Sequence, residues 1–175
     1  MKLLLSIINV LLIVMPISSQ EVSYEDSRCH LKVIGGTSYS TILGESGVFW
    51  PMVGTHVDIK VSSQPVYVTA GIEYMNRGFR DNYNHSVVVP CLGSYHIKLG
   101  DNVAVNPFAG TIVGYGFDWE EWDLGLRLGC DININRWDFT MGYDIGLRRY
   151  NILFSKSRSQ SFFVGVGYNF NLKIN

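Results

Sequence analysis

The chain has 175 residues, enough for one domain or a leader plus one domain, and its 14 basic and 15 acidic residues leave a formal charge of −1. No block of Lys or Arg stands out, so nucleic-acid binding is set aside. Hydrophobic residues make up 47%, and 18 glycines with 10 Tyr, 9 Phe and 4 Trp point to a sheet with crowded and interfacial positions.

Residues 1–19 carry one Lys, an apolar run from Leu3 to Met15, then Pro16 and small residues up to Ser19. This is the pattern of a secretory signal peptide cleaved near Ser19/Gln20, and the run is short for a transmembrane helix. A retained membrane anchor is the alternative. Residues 20–28 read as a short polar periplasmic leader, and 29–175 as one β-domain.

A first strand is expected from Cys29 to Thr41, with Gly35-Gly36 as a bend or close-packing point. A loop through Leu43 to Phe49 follows. In the second strand Val53, Thr55, Val57, Ile59 and Val61 alternate with Gly54, His56, Asp58 and Lys60. Residues 62–65 form a turn, and the third strand spans Val66 to Asn76. A polar loop, Arg77 to His85, leads to a fourth strand from Ser86 to Leu99 that Pro90 interrupts. After the turn at Gly100-Asp101-Asn102 comes a fifth strand, Val103 to Gly116, apolar or small on both faces and not orientable from pattern.

Beyond a loop at Phe117 to Glu121 lies the clearest signal. Leu124, Leu126, Leu128, Cys130, Ile132 and Ile134 alternate with Gly125, Arg127, Gly129, Asp131 and Asn133. Trp137, Phe139, Met141, Tyr143, Ile145 and Leu147 then alternate with Asp138, Thr140, Gly142, Asp144, Gly146 and Arg148. A period of two means extended strand, and a two-residue turn at Asn135-Arg136 keeps the apolar residues on one side of the hairpin. Arg149 to Gln160 is a long loop, and Ser161 to Leu172 an eighth strand.

Each strand approaches the ~9–11 residues that cross a bilayer at a tilt. An even count, with short links after the second, fourth and sixth strands and long ones elsewhere, is the arrangement of an eight-stranded antiparallel up-and-down transmembrane β-barrel of the outer membrane. Closure removes free edges, and in lipid every backbone group must be paired. The apolar face is therefore expected to meet lipid, with glycine and charge in the lumen. A soluble secreted ligand-binding barrel is the competing reading.

Several stretches resemble the Bacteroidetes outer-membrane barrels called PorT-like: GIEYMNRGF (Gly71 to Phe79), VVVPCLGSYHI (Val87 to Ile97), NPFAGTIVGY (Asn106 to Tyr115), WDLGLRLGCDI, GYDIGL (Gly142 to Leu147) and VGVGYNF (Val164 to Phe170). The chain departs from that family at its end, where NLKIN follows Phe170. The resemblance implies an eight-stranded outer-membrane barrel, with some members tied to protein secretion.

A lumen this narrow is filled by side chains, so His56, Asp58, Lys60, Glu73, Arg127, Asp131, Asp138, Asp144 and Arg148 are expected to pair as a plug. A proton or ion path through them is the alternative. Arg77, Phe79, Arg80, Asp118, Trp119, Glu120, Glu121, Lys156 and Arg158 are the candidates for interaction on the outer loops, with lipopolysaccharide and envelope or secretion proteins as partners of a monomeric barrel. The acidic run Asp118 to Asp123 could hold a divalent cation or be a solvated loop with tryptophans at the lipid boundary. Cys29, Cys91 and Cys130 form no CxxC, and a Cys29–Cys91 or Cys91–Cys130 bridge is open. No GxSxG or HExxH is present, so neither an enzyme nor a cofactor is expected. His85 with loop carboxylates and a serine is the one catalytic alternative.

Overall fold

A computed structural model describes residues 29–42, 46–80, 82–148, 150–152 and 155–172. The expected signal peptide and leader, residues 1–28, lie outside the described residues. The wall consists of β1 (Cys29–Ile42), β2 (Val48–Lys60), β3 (Val66–Asn76), β4 (His85–Tyr95) continued by β5 (Ile97–Lys98), β6 (Val103–Gly116), β7 (Glu121–Ile134) and β8 (Trp137–Gly146). A small hairpin, β9 (Tyr150–Ile152) with β10 (Ser155–Ser157), precedes the last wall strand, β11 (Ser159–Leu172).

Every wall strand pairs antiparallel with its neighbours in sequence. β1 also pairs with β11, from Cys29↔Leu172 to Ile42↔Ser159, which closes the sheet into an eight-stranded barrel. The strand termini Cys29 and Leu172 sit on the rim that carries the turns 61–65 and 135–136.

Side-chain parity follows the sequence pattern. Leu124, Leu126 and Leu128 on β7 are 49%, 44% and 51% exposed, whereas Arg127 between them is 2% exposed. Phe139 and Met141 on β8 and Phe162, Val164 and Val166 on β11 likewise face outward. Aromatics gather at both ends of this apolar belt: Phe49, Trp122 and Phe117 at one, Trp137 with Tyr168 and Phe170 at the other. β6, which the pattern left open, turns Asn106, Phe108 and Ile112 inward and Pro107, Ala109, Thr111 and Val113 outward.

Glycines make room for the inward side chains. A Cβ on Gly142 would lie 2.3 Å from the Phe163 ring, and one on Gly129 2.4 Å from the Phe108 ring. Those rings join Ile34, Met52, Met75, Val88, Leu92 and Ile112 in the apolar part of the interior.

The two rims differ less than the pattern suggested. β2 begins at Val48 and β7 at Glu121, so two links expected to be long are only 43–47 and 117–120. The strands run on past the apolar belt, where Phe49, Trp50 and Trp122 blur the alternation while the hydrogen-bonded ladder continues. The extended links are 77–84 and 147–158, and the second holds the β9–β10 hairpin.

Candidate functional site

The interior is the first candidate site. Among the described residues the buried charged groups are Lys32, Arg77 and Arg127 against Asp58, Glu73, Asp123, Asp131, Asp138 and Asp144. Arg127 on β7 stands directly across the ladder from Asp144 on β8 and grips it in two places, Nε to Oδ1 at 2.7 Å and Nη2 to Oδ2 at 2.9 Å. Its Nη1 donates to Glu73 Oε1 at 2.6 Å, and the guanidinium lies 4.4 Å above the Phe163 ring. His56 Nε2 meets the same Glu73 oxygen at 2.8 Å. Above this group Arg77 donates from Nη2 to Asp123 Oδ2 at 2.8 Å and Ser159 Oγ at 3.1 Å, and from Nη1 to Asp144 Oδ2 at 3.4 Å.

A second tier lies towards the strand termini. Lys32 Nζ donates to Asp131 at 2.8 Å and Asp138 at 3.3 Å, Asn133 Nδ2 donates to Asp138 at 2.6 Å, Asn106 donates to Asn133, and the Thr69 hydroxyl donates to Asp58. Between the tiers is a space of about 10 Å³ lined in part by Lys32, His56, Asp58, Asn106, Asp131 and Asp138. That is about the volume one water needs. Where an opposite charge is fixed at these distances it offsets the cost of burial, whereas an ion left alone would cost several kcal/mol; Asp58 is held by the Thr69 hydroxyl.

Seven of the nine residues expected in the lumen are buried there. The other two are corrections. Lys60 is half-buried at the end of β2, opposite Tyr67, and is not one of the buried charges. Arg148 lies beyond the end of β8, where the ladder no longer fixes its direction. Its side chain is 44% exposed, meeting Glu121 Oε1 at 3.3 Å and the Trp122 carbonyl at 2.6 Å.

Lys32, Arg77 and Asp123 complete the network, and one further step of the alternation points to each. Lys32 lies between outward Leu31 and Val33, Arg77 is two residues beyond inward Met75, and Asp123 is two before inward Gly125. Arg77 was expected on the outer loops and instead closes the top of the lumen. Phe79 is also corrected, because it is 9% exposed and packs edge-on against Trp119 at 6.2 Å.

The remaining outer-loop candidates lie around the mouth. Arg80, Asp118, Glu120 and Arg158 are exposed, and Glu120 takes a left-handed backbone with φ 51°. Trp119 donates from Nε1 to Asn82 at 3.0 Å, and Asp118 accepts the His85 amide at 2.6 Å. The side chain of Lys156, on β10, lies outside the described residues. With Asp118, Glu121 and Asp123 drawn to three different partners, the acidic run does not converge on a cation. Among the described residues no group of His, Cys, Asp and Glu is arranged to hold a metal.

His85 Nδ1 and the Tyr74 hydroxyl share a hydrogen bond of 3.0 Å, and the ring lies 4.9 Å from that of Trp50, in an aromatic cluster at the edge of the belt that also includes Tyr83. Cys29, Cys91 and Cys130 are all free, so neither bridge forms.

No protein-family model and no curated protein matches the chain. Solved structures do. Neisserial surface protein A aligns at 11% identity with a TM-score of 0.57, covering 82% of this chain and 98% of that one. The outer membrane protein OprG from Pseudomonas aeruginosa aligns at 12% identity and TM-score 0.48, covering 87% and 100%. Ail, the attachment invasion locus protein of Yersinia pestis, aligns at 12% and 0.47, covering 82% and 99%. At these identities the likeness is one of fold, an eight-stranded antiparallel barrel.

Proposed function

We propose that the chain is a non-enzymatic barrel of the outer membrane, exported by residues 1–19, whose plugged lumen serves as a rigid mount and whose outer mouth binds envelope or surface partners. The observation that carries this reading is the inversion of polarity. Leucine, isoleucine, valine and phenylalanine cover the outside while nine Lys, Arg, Asp and Glu side chains are buried in the centre. A water-soluble barrel would place them the other way round. The fold shared with Neisserial surface protein A supports the same reading.

Docking is assigned to the mouth because the lumen offers a guest little room. Arg77 and Arg127 are buried and tied to Glu73, Asp123 and Asp144, which leaves an ion little room to pass. Arg80, Asp118, Glu120 and Arg158 with the Trp50, Tyr83 and His85 cluster provide mixed charge and aromatic area for a protein or for lipopolysaccharide. The resemblance to PorT-like barrels, and with it a secretion partner, belongs to this proposal and is supported by the order of the motifs along the strands.

Fractionation with heat-modifiable gel migration tests the membrane assignment. Recovery in the membrane fraction, with a faster-running unheated form, is expected, and recovery in the aqueous phase without detergent refutes it. Planar-bilayer recording should show no steady conductance. Glu120→Ala/Arg158→Ala should weaken capture of envelope partners or lipopolysaccharide without changing heat modification, and unaltered binding would remove the mouth from the proposal.

A further inference from the structure

The wall is not equally fastened all the way round. From β6 through β7, β8, β11 and β1 to β2 the ladders are unbroken along their paired lengths, including fourteen consecutive pairs between β6 and β7 and fourteen between β1 and β11. From β2 through β3 and β4 to β6 two ladders are interrupted and the third, β2–β3, starts late, in each case beside a proline.

The β3–β4 register runs from Val66↔Tyr95 to Ala70↔Cys91 and resumes at Glu73↔Val88, omitting Gly71 opposite Pro90 and Ile72 opposite Val89. Proline has no N–H, so the Gly71 carbonyl loses the donor its position in the ladder requires. The β4–β6 ladder stops at Ser94↔Phe108 and resumes on β5 at Ile97↔Val105, leaving the Tyr95 carbonyl opposite Pro107. The β2–β3 ladder begins only at Val53↔Tyr74, so Pro51 leaves the Asn76 carbonyl without its strand donor, and the Ser40 hydroxyl supplies a hydrogen bond instead.

The middle fault differs from the other two because it lies halfway along both of its strands, and it lies inside the apolar belt. Ile72 and Val89 there are 53% and 48% exposed on the outer face. In hydrocarbon no water can replace the missing donor. Next to Ile72 and Val89 on the outer face the direct pair is small, Ala70 opposite Cys91.

We infer that the β3–β4 seam is a built-in lateral weak point, and that the barrel wall parts there, between Gly71 and Pro90, before it parts anywhere between β6 and β2 on the continuous side. Glu73 and His56, hydrogen-bonded to each other, lie directly behind the seam, so parting would bring a buried carboxylate and its imidazole partner to the edge of the lipid. The inference rests on the ladders and holds in detergent as in a bilayer, so it can fail while the membrane assignment stands.

Residue-resolved hydrogen exchange on the refolded full chain tests it. Amides of 71–73, 88, 89 and 91 should exchange about ten-fold faster or more than those of 126–130 on β7, the effect of one missing hydrogen bond. Pro90→Val, which restores the N–H at similar volume, should slow the seam about ten-fold. A second variant avoids Pro90. Ala70→Cys, in a chain whose Cys29 and Cys130 are serine, can form a disulfide with Cys91 across the seam, and Met141→Cys can do so with native Cys130 across β7–β8, with Cys29 and Cys91 serine. The seam disulfide should raise the heat-modification temperature by more than the β7–β8 one. Equal exchange on both sides of the barrel, no slowing in Pro90→Val, or equal gains from the two disulfides would overturn the inference.

Discussion

Replacing Arg127 with methionine keeps much of its volume and removes its charge from the centre of the barrel. The side chain is 1% exposed, and its three short bonds hold Glu73 and Asp144, each 0% exposed. At an effective dielectric of about 20, each unit-charge contact near 4 Å is worth roughly 4 kcal/mol before desolvation. Without Arg127, Glu73 keeps His56 at 2.8 Å and Asp144 keeps Arg77 at 3.4 Å, so part of the loss is recovered. The net cost expected for removing one member of a buried pair is about 3–5 kcal/mol. Urea titration in phospholipid vesicles, followed by tryptophan fluorescence, measures it. The triple variant Arg127→Met/Glu73→Gln/Asp144→Asn should regain most of the loss, because the carboxylates left behind are then neutral. A loss below about 1 kcal/mol in Arg127→Met, or a triple variant no more stable than the single one, would refute the reasoning.

Other substitutions probe the outer face, the glycines and the turn. Leu128→Arg, pointing out of the middle of the belt, should cost about 2–4 kcal/mol in vesicles by the same titration. Gly142→Val should cost about 1–3 kcal/mol, because its Cβ would lie 2.3 Å from Phe163. A double-mutant cycle with Phe163→Ala should then show favourable coupling of at least about 0.5 kcal/mol. Asn135, first of the two turn residues between β7 and β8, has φ 57°. Asn135→Gly should therefore leave the urea midpoint almost unchanged, while Asn135→Val costs about 1–2 kcal/mol.

The strands were legible because period-two alternation is enforced wherever the two faces meet different media. β3 and β6 match their expected bounds, and β7 and β8 their expected facing. Legibility ended where the two faces met similar surroundings. On β6 inward Phe108 and Ile112 are as apolar as outward Val113, since the interior has its own hydrophobic layer. Above the belt, aromatic residues suit strand and loop alike, and β2 and β7 were read too short.

The charged network was mostly legible for the same reason, parity. It failed for Arg148, past the last ladder bond, and for Arg77, whose place in a polar loop concealed that it continues the inward row of β3. The sorting of partners, Lys32 with Asp131 and Asp138 or Arg127 with Glu73 and Asp144, depends on which strands face each other across the lumen. Only barrel closure decides that.

The orientation of the wall is tested most directly by nitroxide labels placed singly at positions 126, 128 and 132 in a chain with its native cysteines replaced by serine, reconstituted in vesicles. Collision with oxygen should be high and with a water-soluble nickel chelate low at all three positions, as for groups facing hydrocarbon. Ready collision with the nickel chelate would show that these leucines and this isoleucine do not face lipid.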